Sequence, residues 1–192
     1  MTEADWSRGD RLVLPRTTTA DEVITFAEAV GFKEGHEQRT STVHERVWII
    51  SGPLYFHYVD NVETEVSYVQ VTGESAQAVE RFTGIARKFF SPRDVPDLMA
   101  EARSAETRDD KVFTLVQLVT ALASDPPTEA MRMLQEAFDS PDRRIRRAAL
   151  LSALYLDWPL VAPFVRRMHE HDEEETLRLQ AGYFVERNDD AS

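Results

Sequence analysis

The 192-residue chain contains no cysteine. That absence excludes disulfide staples, thiolate nucleophiles and cysteine-held zinc or iron–sulfur centres. Glycine is scarce at seven residues, and none of it forms the loop whose backbone N–H groups cradle a phosphate. No apolar run approaches the roughly 18 residues of a membrane-spanning helix. The opening MTEADWSRGD is acidic and polar, where a secretory leader is basic and then apolar, so a cytoplasmic location is the expectation. Positive charge is in deficit too: 22 Lys and Arg face 34 Asp and Glu, for a net charge of −12. Both halves are acidic, which repels a phosphate backbone at long range and disfavours nucleic acid as a partner.

What is present falls into two parts, residues 1–90 and 91–192, and together they predict an α+β protein. The first part reads as an α/β module of order β-α-β-β-β-α. Leu12 to Pro15 is a short extended piece. Thr19 with Glu22 resembles a capping box, opening a helix with the stripe Val23, Phe26, Ala27 and Val30, and Gly31 is its stop. Strands are expected over Val43–Ile50, Leu54–Val59 and Glu65–Val71, with turns at Ser51-Gly52-Pro53 and Asp60-Asn61. A second helix, Ser75–Phe90, carries Val79, Phe82, Ile85, Ala86 and Phe89. The strands alternate poorly, so both faces of the antiparallel sheet are expected to be covered, one by the two helices and the other by another chain or by the C-terminal half.

After Ser91-Pro92 the pattern is helical throughout, punctuated at Asp125-Pro126-Pro127, Asp139-Ser140-Pro141 and Asp157-Trp158-Pro159. A shift of 32 residues superposes Phe113, Ile145 and Leu177, then Thr114, Arg146 and Arg178, then Ala121, Ala153 and Val185. Leu134 to Leu154, LQEAFDSPDRRIRRAALLSAL, resembles a HEAT repeat through Asp139, Ile145, Arg146, Ala148, Ala149, Ala153 and Leu154. Part of the pattern returns at Leu177-Arg178-Leu179-Gln180-Ala181. The resemblance implies an all-α array of about three HEAT-like hairpins. It also implies that Arg146 joins a ladder with turn aspartates, here Asp139, Asp142 or Asp110, and that Arg178 repeats it.

Several groups invite chemistry. Arg143, Arg144, Arg146 and Arg147 could grip phosphate, as in helical-repeat DNA glycosylases, and a nucleic-acid-binding or repair protein is the alternative function. His169-Glu170-His171-Asp172 has metal-ligand types but sits where a charged turn is expected. His57, Asp60, Glu63 and Glu65 surround one hairpin with His44 on the next strand, a set suited to acid–base work, yet no nucleophile with its base is evident. Tyr55, Tyr58, Tyr68 and Trp48 could stack on bases, but interleaved basic residues are missing. No catalytic residue, cofactor or metal is therefore assigned.

Projection of each repeat's second helix at about 100 degrees per residue sets Leu115, Leu118 and Leu122, then Arg143, Arg147, Leu150 and Leu154, then Glu175, Leu179 and Glu186, opposite the packed direction. Six leucines there would reach the upper end of the apolar area that a monomer exposes, so they are expected to be covered, either by a partner or by the β-half folding back over the groove. A non-catalytic, partner-binding or regulatory protein follows as the expectation. It would bind a protein partner or a second copy through Leu115, Leu118, Leu122, Arg143, Arg147, Leu150 and Leu154, and one version is an antitoxin-like immunity protein whose acidity covers a basic toxin.

Overall fold

The computed structural model describes residues 6–122 and 125–189. The chain forms two compact units, Met1–Asp94 and Val95–Ser192.

In the first unit the strands are β1 (Ser7–Arg8), β2 (Leu12–Val13), β3 (Lys33–Arg39), β4 (Val43–Ile49), β5 (Leu54–Asn61) and β6 (Val66–Gly73), with α1 (Ala20–Ala29) and α2 (Ala76–Phe90). They build one antiparallel sheet of order β1-β6-β5-β4-β3, with β2 also on β6. Thr19 and Glu22 form the capping box of α1, each side chain accepting from the other's backbone N–H, and Gly31 follows the helix at φ 78°. Both helices lie on one face of the sheet. Val23, Phe26 and Ala27 of α1 and Val79, Ala86 and Phe90 of α2 meet Trp48, Leu54, Phe56, Tyr58, Val69 and Val71. The Phe26 ring stands 4.6 to 6.0 Å from those of Phe32, Phe56, Phe89 and Phe90.

The opposite face carries Val13, Val47, Val59 and Val66, all buried, which accounts for the poor alternation of the strands. The structure corrects the sequence expectation at a turn and at an outer strand. Asp60 and Asn61 complete β5, and the turn is formed by residues 62–65, where Asn61 Oδ1 accepts from the backbone N–H of Glu63 and Thr64 at 3.1 Å. The outer strand β3 was not expected at all. Its sequence KEGHEQR is exposed along its length, so no apolar alternation announces it. Charge and an irregular register at Gly35, where a Cβ would lie 2.7 Å from the Val47 carbonyl, protect this edge.

The second unit comprises α3 (Val95–Ser104), α4 (Arg108–Ala121), α5 (Thr128–Phe138), α6 (Arg143–Ser152), a short 3-10 turn (Ala153–Tyr155), α7 (Trp158–His171) and α8 (Glu175–Asp189). Side chains of Thr107 and Asp142 cap α4 and α6, and Pro159 occupies the first turn of α7. The helices pack in successive pairs, α3 with α4, α5 with α6 and α7 with α8, while α4 also packs on α5 and α6, and α5 on α7. The second and third pairs share one construction. Arg146 Nη1 donates to the carbonyls of Ser140 and Pro141 at 3.0 and 3.2 Å. Thirty-two residues on, Arg178 Nη1 donates to those of Asp172 and Glu173 at 2.5 and 3.2 Å. The first pair departs from this plan: Thr114 takes the place of the arginine, and its hydroxyl donates to the Asp110 carbonyl at 2.7 Å. Among the described residues no helix is long and apolar enough to cross a membrane.

Candidate functional site

The leucine-lined surface expected from helical projection is not where the sequence placed it. Leu115, Leu118, Leu122 and Leu150 are 6, 0, 2 and 0 % exposed and are core residues. Projection assumes that each second helix packs on one side only. Yet α4 has neighbours in α3, α5 and α6, and every residue from Thr114 to Thr120 is buried; a helix apolar all round is an interior helix. The α6 helix is likewise held between α4 and α5. Leu154 does emerge, at 56 % exposure, because α6 stops at Ser152 and the 3-10 turn breaks the 100-degree progression.

The four arginines divide. Arg146 is buried, with Nε 2.8 Å and Nη2 3.1 Å from the two carboxylate oxygens of Asp172 and Nη2 also 3.1 Å from Glu173. The bidentate hydrogen bonds to Asp172 hold its guanidinium charged and raise its pKa above the ordinary arginine value. The partner is therefore one repeat later than expected: Asp139 pairs with Arg167, Asp142 with Arg108, and Asp110 with the Thr107 hydroxyl. Arg144 pairs with Asp109 at 3.0 Å, Arg143 lies 3.9 Å from Glu174, and Arg147 is exposed. Arg143 and Arg147 thus stay on the surface, but the cluster is not a block of uncompensated charge.

The histidine motif of the last turn also disperses. His169 Nδ1 meets the Arg178 carbonyl at 3.1 Å, His171 lies 3.5 Å from Glu170, and Asp172 is committed to Arg146. Among the described residues no group of three or more His, Asp or Glu is arranged to hold a metal ion.

The sheet plane splits the histidine and acid set of the first unit. His44 pairs with Asp60 across β4 and β5 on the helix-covered face, with Nε2 2.5 Å from Glu37; that hydrogen bond, followed by one from Arg46, holds the Glu37 carboxyl below its ordinary range. Glu65 pairs instead with Arg16 at 3.0 Å. His57 lies on the other face, between two residues that the sequence did not connect with it. Glu45 Oε1 is 3.0 Å from Nδ1 and Thr72 Oγ1 is 2.9 Å from Nε2. A carboxylate only accepts, so Nδ1 carries its proton, and in the neutral ring Nε2 accepts from the Thr72 hydroxyl. This is a hydroxyl–imidazole–carboxylate relay, invisible beforehand because its members come from β4, β5 and β6. The aromatic platform is divided in the same way, with Trp48 and Tyr58 in the core and Tyr55 and Tyr68 on the relay's face.

An open apolar surface lies at the last helical pair. Leu154, Leu179 and Tyr183 are 56, 57 and 70 % exposed, and Leu179 and Tyr183 are one turn apart on α8. Beside them a cleft of about 290 Å³ is lined by Leu154, Leu156, Trp158, Tyr183, Phe184 and Arg187, among others. The indole N–H of Trp158 donates to Asp189 Oδ1 at 3.2 Å. Arg166 donates to the same oxygen at 2.7 Å, and its guanidinium carbon lies 5.7 Å from the indole centre. One wall is thus fixed by a neutralised ion pair. Leu179 already stood on the projected side in the sequence, and Tyr183 was reachable through the 32-residue register, which makes α8 the counterpart of α6.

The chain matches no family model, no curated protein and no solved structure.

Proposed function

We propose that this chain is a non-catalytic, cytoplasmic docking protein of HEAT-like build whose last helical pair binds a partner protein or a second copy. The observation that carries the reading is the joint exposure of Leu154, Leu179 and Tyr183 beside an aromatic cleft; apolar groups so gathered and rimmed by polar ones mark interaction sites. Support for the HEAT-like build is the 32-residue register and the Arg146–Asp172 pair that links one hairpin turn to the next. The net charge of −12 suits a partner with a basic surface beyond the patch itself, as an immunity-type protein would require.

The test is Tyr183→Glu, followed by light scattering after size exclusion, capture of partners from native lysate, and thermal melting. A surface substitution changes stability by about 0.5 kcal/mol or less, so the melting point should hold while the partner or dimer is lost. Retention of both would refute the reading. The nucleic-acid alternative is disfavoured by the paired Arg143, Arg144 and Arg146 and by the net charge; no micromolar binding to duplex is expected near 0.15 M salt.

A second reading rests on the relay. Nucleophile, base and orienting carboxylate stand in hydrogen-bond reach, so on an aryl ester the Thr72 hydroxyl would attack the carbonyl as His57 takes its proton, the ester C–O bond would break with the phenolate departing, and water would then free the acid and restore the hydroxyl. Thr72 is only 8 % exposed, which restricts an acyl carbon's approach. Hydrolysis of p-nitrophenyl acetate above background, lost on Thr72→Val, would displace the docking reading.

A further inference from the structure

We infer that the cleft between the 3-10 turn and α8 receives an apolar side chain lying next to a carboxylate in a segment of the partner; this rests on the docking reading. Size comes first. At about 290 Å³ the cleft falls at the lower limit of ligand sites, about 300 Å³, so it suits one or two side chains rather than a dinucleotide or other large cofactor. Its chemistry is apolar on the walls, with Leu154, Leu156, Phe184 and the rings of Trp158 and Tyr183. The indole has its N–H satisfied by Asp189 and the Arg166 guanidinium beside it, so it offers a preorganised ring wall to an apolar group.

Charge sets the second requirement. Two arginines serve this region and they differ. Arg166 is neutralised by Asp189, whereas Arg187 lines the cleft, is exposed, and makes no ion pair among the described residues. Glu186 precedes it in the chain but neither pairs with it nor lines the cleft. In a chain of net charge −12 a guanidinium at an apolar mouth that no described carboxylate pairs with is selective: it offers two parallel N–H donors to a carboxylate and repels lysine or arginine. Tryptophan, tyrosine and arginine are also the side chains that most often dominate binding energy at interfaces.

The experiment titrates isotope-labelled full-length chain with blocked pentapeptides, read by amide chemical shifts. One peptide has phenylalanine flanked by glutamates, the second has phenylalanine flanked by lysines. The glutamate peptide should shift the backbone signals of Tyr183, Phe184 and Arg187 and the indole N–H of Trp158 saturably. The lysine peptide should bind at least about fivefold more weakly, the scale of about 1 kcal/mol for exposed charge interactions. Arg187→Gln should bring the two within about twofold without moving the melting point. No shift at these signals up to millimolar peptide, equal binding of both peptides, or an unchanged preference in Arg187→Gln overturns the inference. Partner loss on Tyr183→Glu with an inert glutamate peptide would leave the docking reading standing and this inference fallen; failure of both measurements removes both.

Discussion

The helices α6 and α8 hold equivalent places, 32 residues apart, and meet opposite fates. Packed between α4 and α5, α6 buries Arg146, Ala148, Ala149, Leu150 and Ser152. Its counterpart packs on α7 and buries only Leu177, Ala181 and Gly182, leaving Leu179 and Tyr183 outside. Among the described residues α8 packs on α7 alone to any extent, and the face that carries Leu179 and Tyr183 is open. An apolar face left open in this way invites a partner.

The arginines give the sharpest way to break this comparison. Arg146 and Arg178 make the same backbone contacts, but only Arg146 has a buried carboxylate as well, its side chain 7 % and that of Asp172 4 % exposed. Removing one member of a buried pair costs about 3–5 kcal/mol, so urea unfolding of Arg146→Ala should show that loss. Arg178→Ala, which forfeits hydrogen bonds to carbonyls, should cost about 1 kcal/mol. Equal costs would mean that the two turns are energetically alike.

Leucines come next. Leu150→Ala should cost about 2–5 kcal/mol as a fully buried side chain, and Leu154→Ala, four residues on and exposed, about 0.5 kcal/mol or less. Here lies the main limit of the sequence. Periodicity located the helices, and the 32-residue register related them, because apolar spacing and capping residues are local. Which helix is interior depends on how many neighbours it acquires, and α4 and α6 acquired them on both sides. Leu154 was placed on the open surface for a reason that does not hold, since it follows a helix that has already ended. The relay among Glu45, His57 and Thr72 was illegible for a related reason: cross-strand register, not spacing, brings it together. Strand β3 was missed because a charged edge has no buried face to pattern.

The smallest effect expected is acid sensitivity of the middle pair. Hydrogen bonds first from Arg132 and then from Arg103 hold the Glu129 carboxyl at about 2 instead of 4.5, and the backbone N–H of Arg144 lowers Asp142. Both pKa values are depressed on folding, so their contribution is complete above the ordinary carboxylate values and fades as pH falls toward 2. Thermal melts should be level above about pH 5 and decline below it. Because Glu129 is part-buried but its partners Arg103 and Arg132 are exposed and open to solvent screening, Glu129→Gln should flatten that decline only slightly; a decline as steep as before would show that other carboxylates govern it.

Hydroxyl-radical footprinting of the chain, purified and then in native lysate, tests the central claim most directly. Free Leu154, Leu179 and Tyr183 should label readily and become protected when a partner is present, while Val30 and Val62, exposed apolar residues of the sheet unit, keep their labelling. Unchanged labelling of Leu154, Leu179 and Tyr183, or protection confined to Val30 and Val62, would contradict a docking role for the last helical pair.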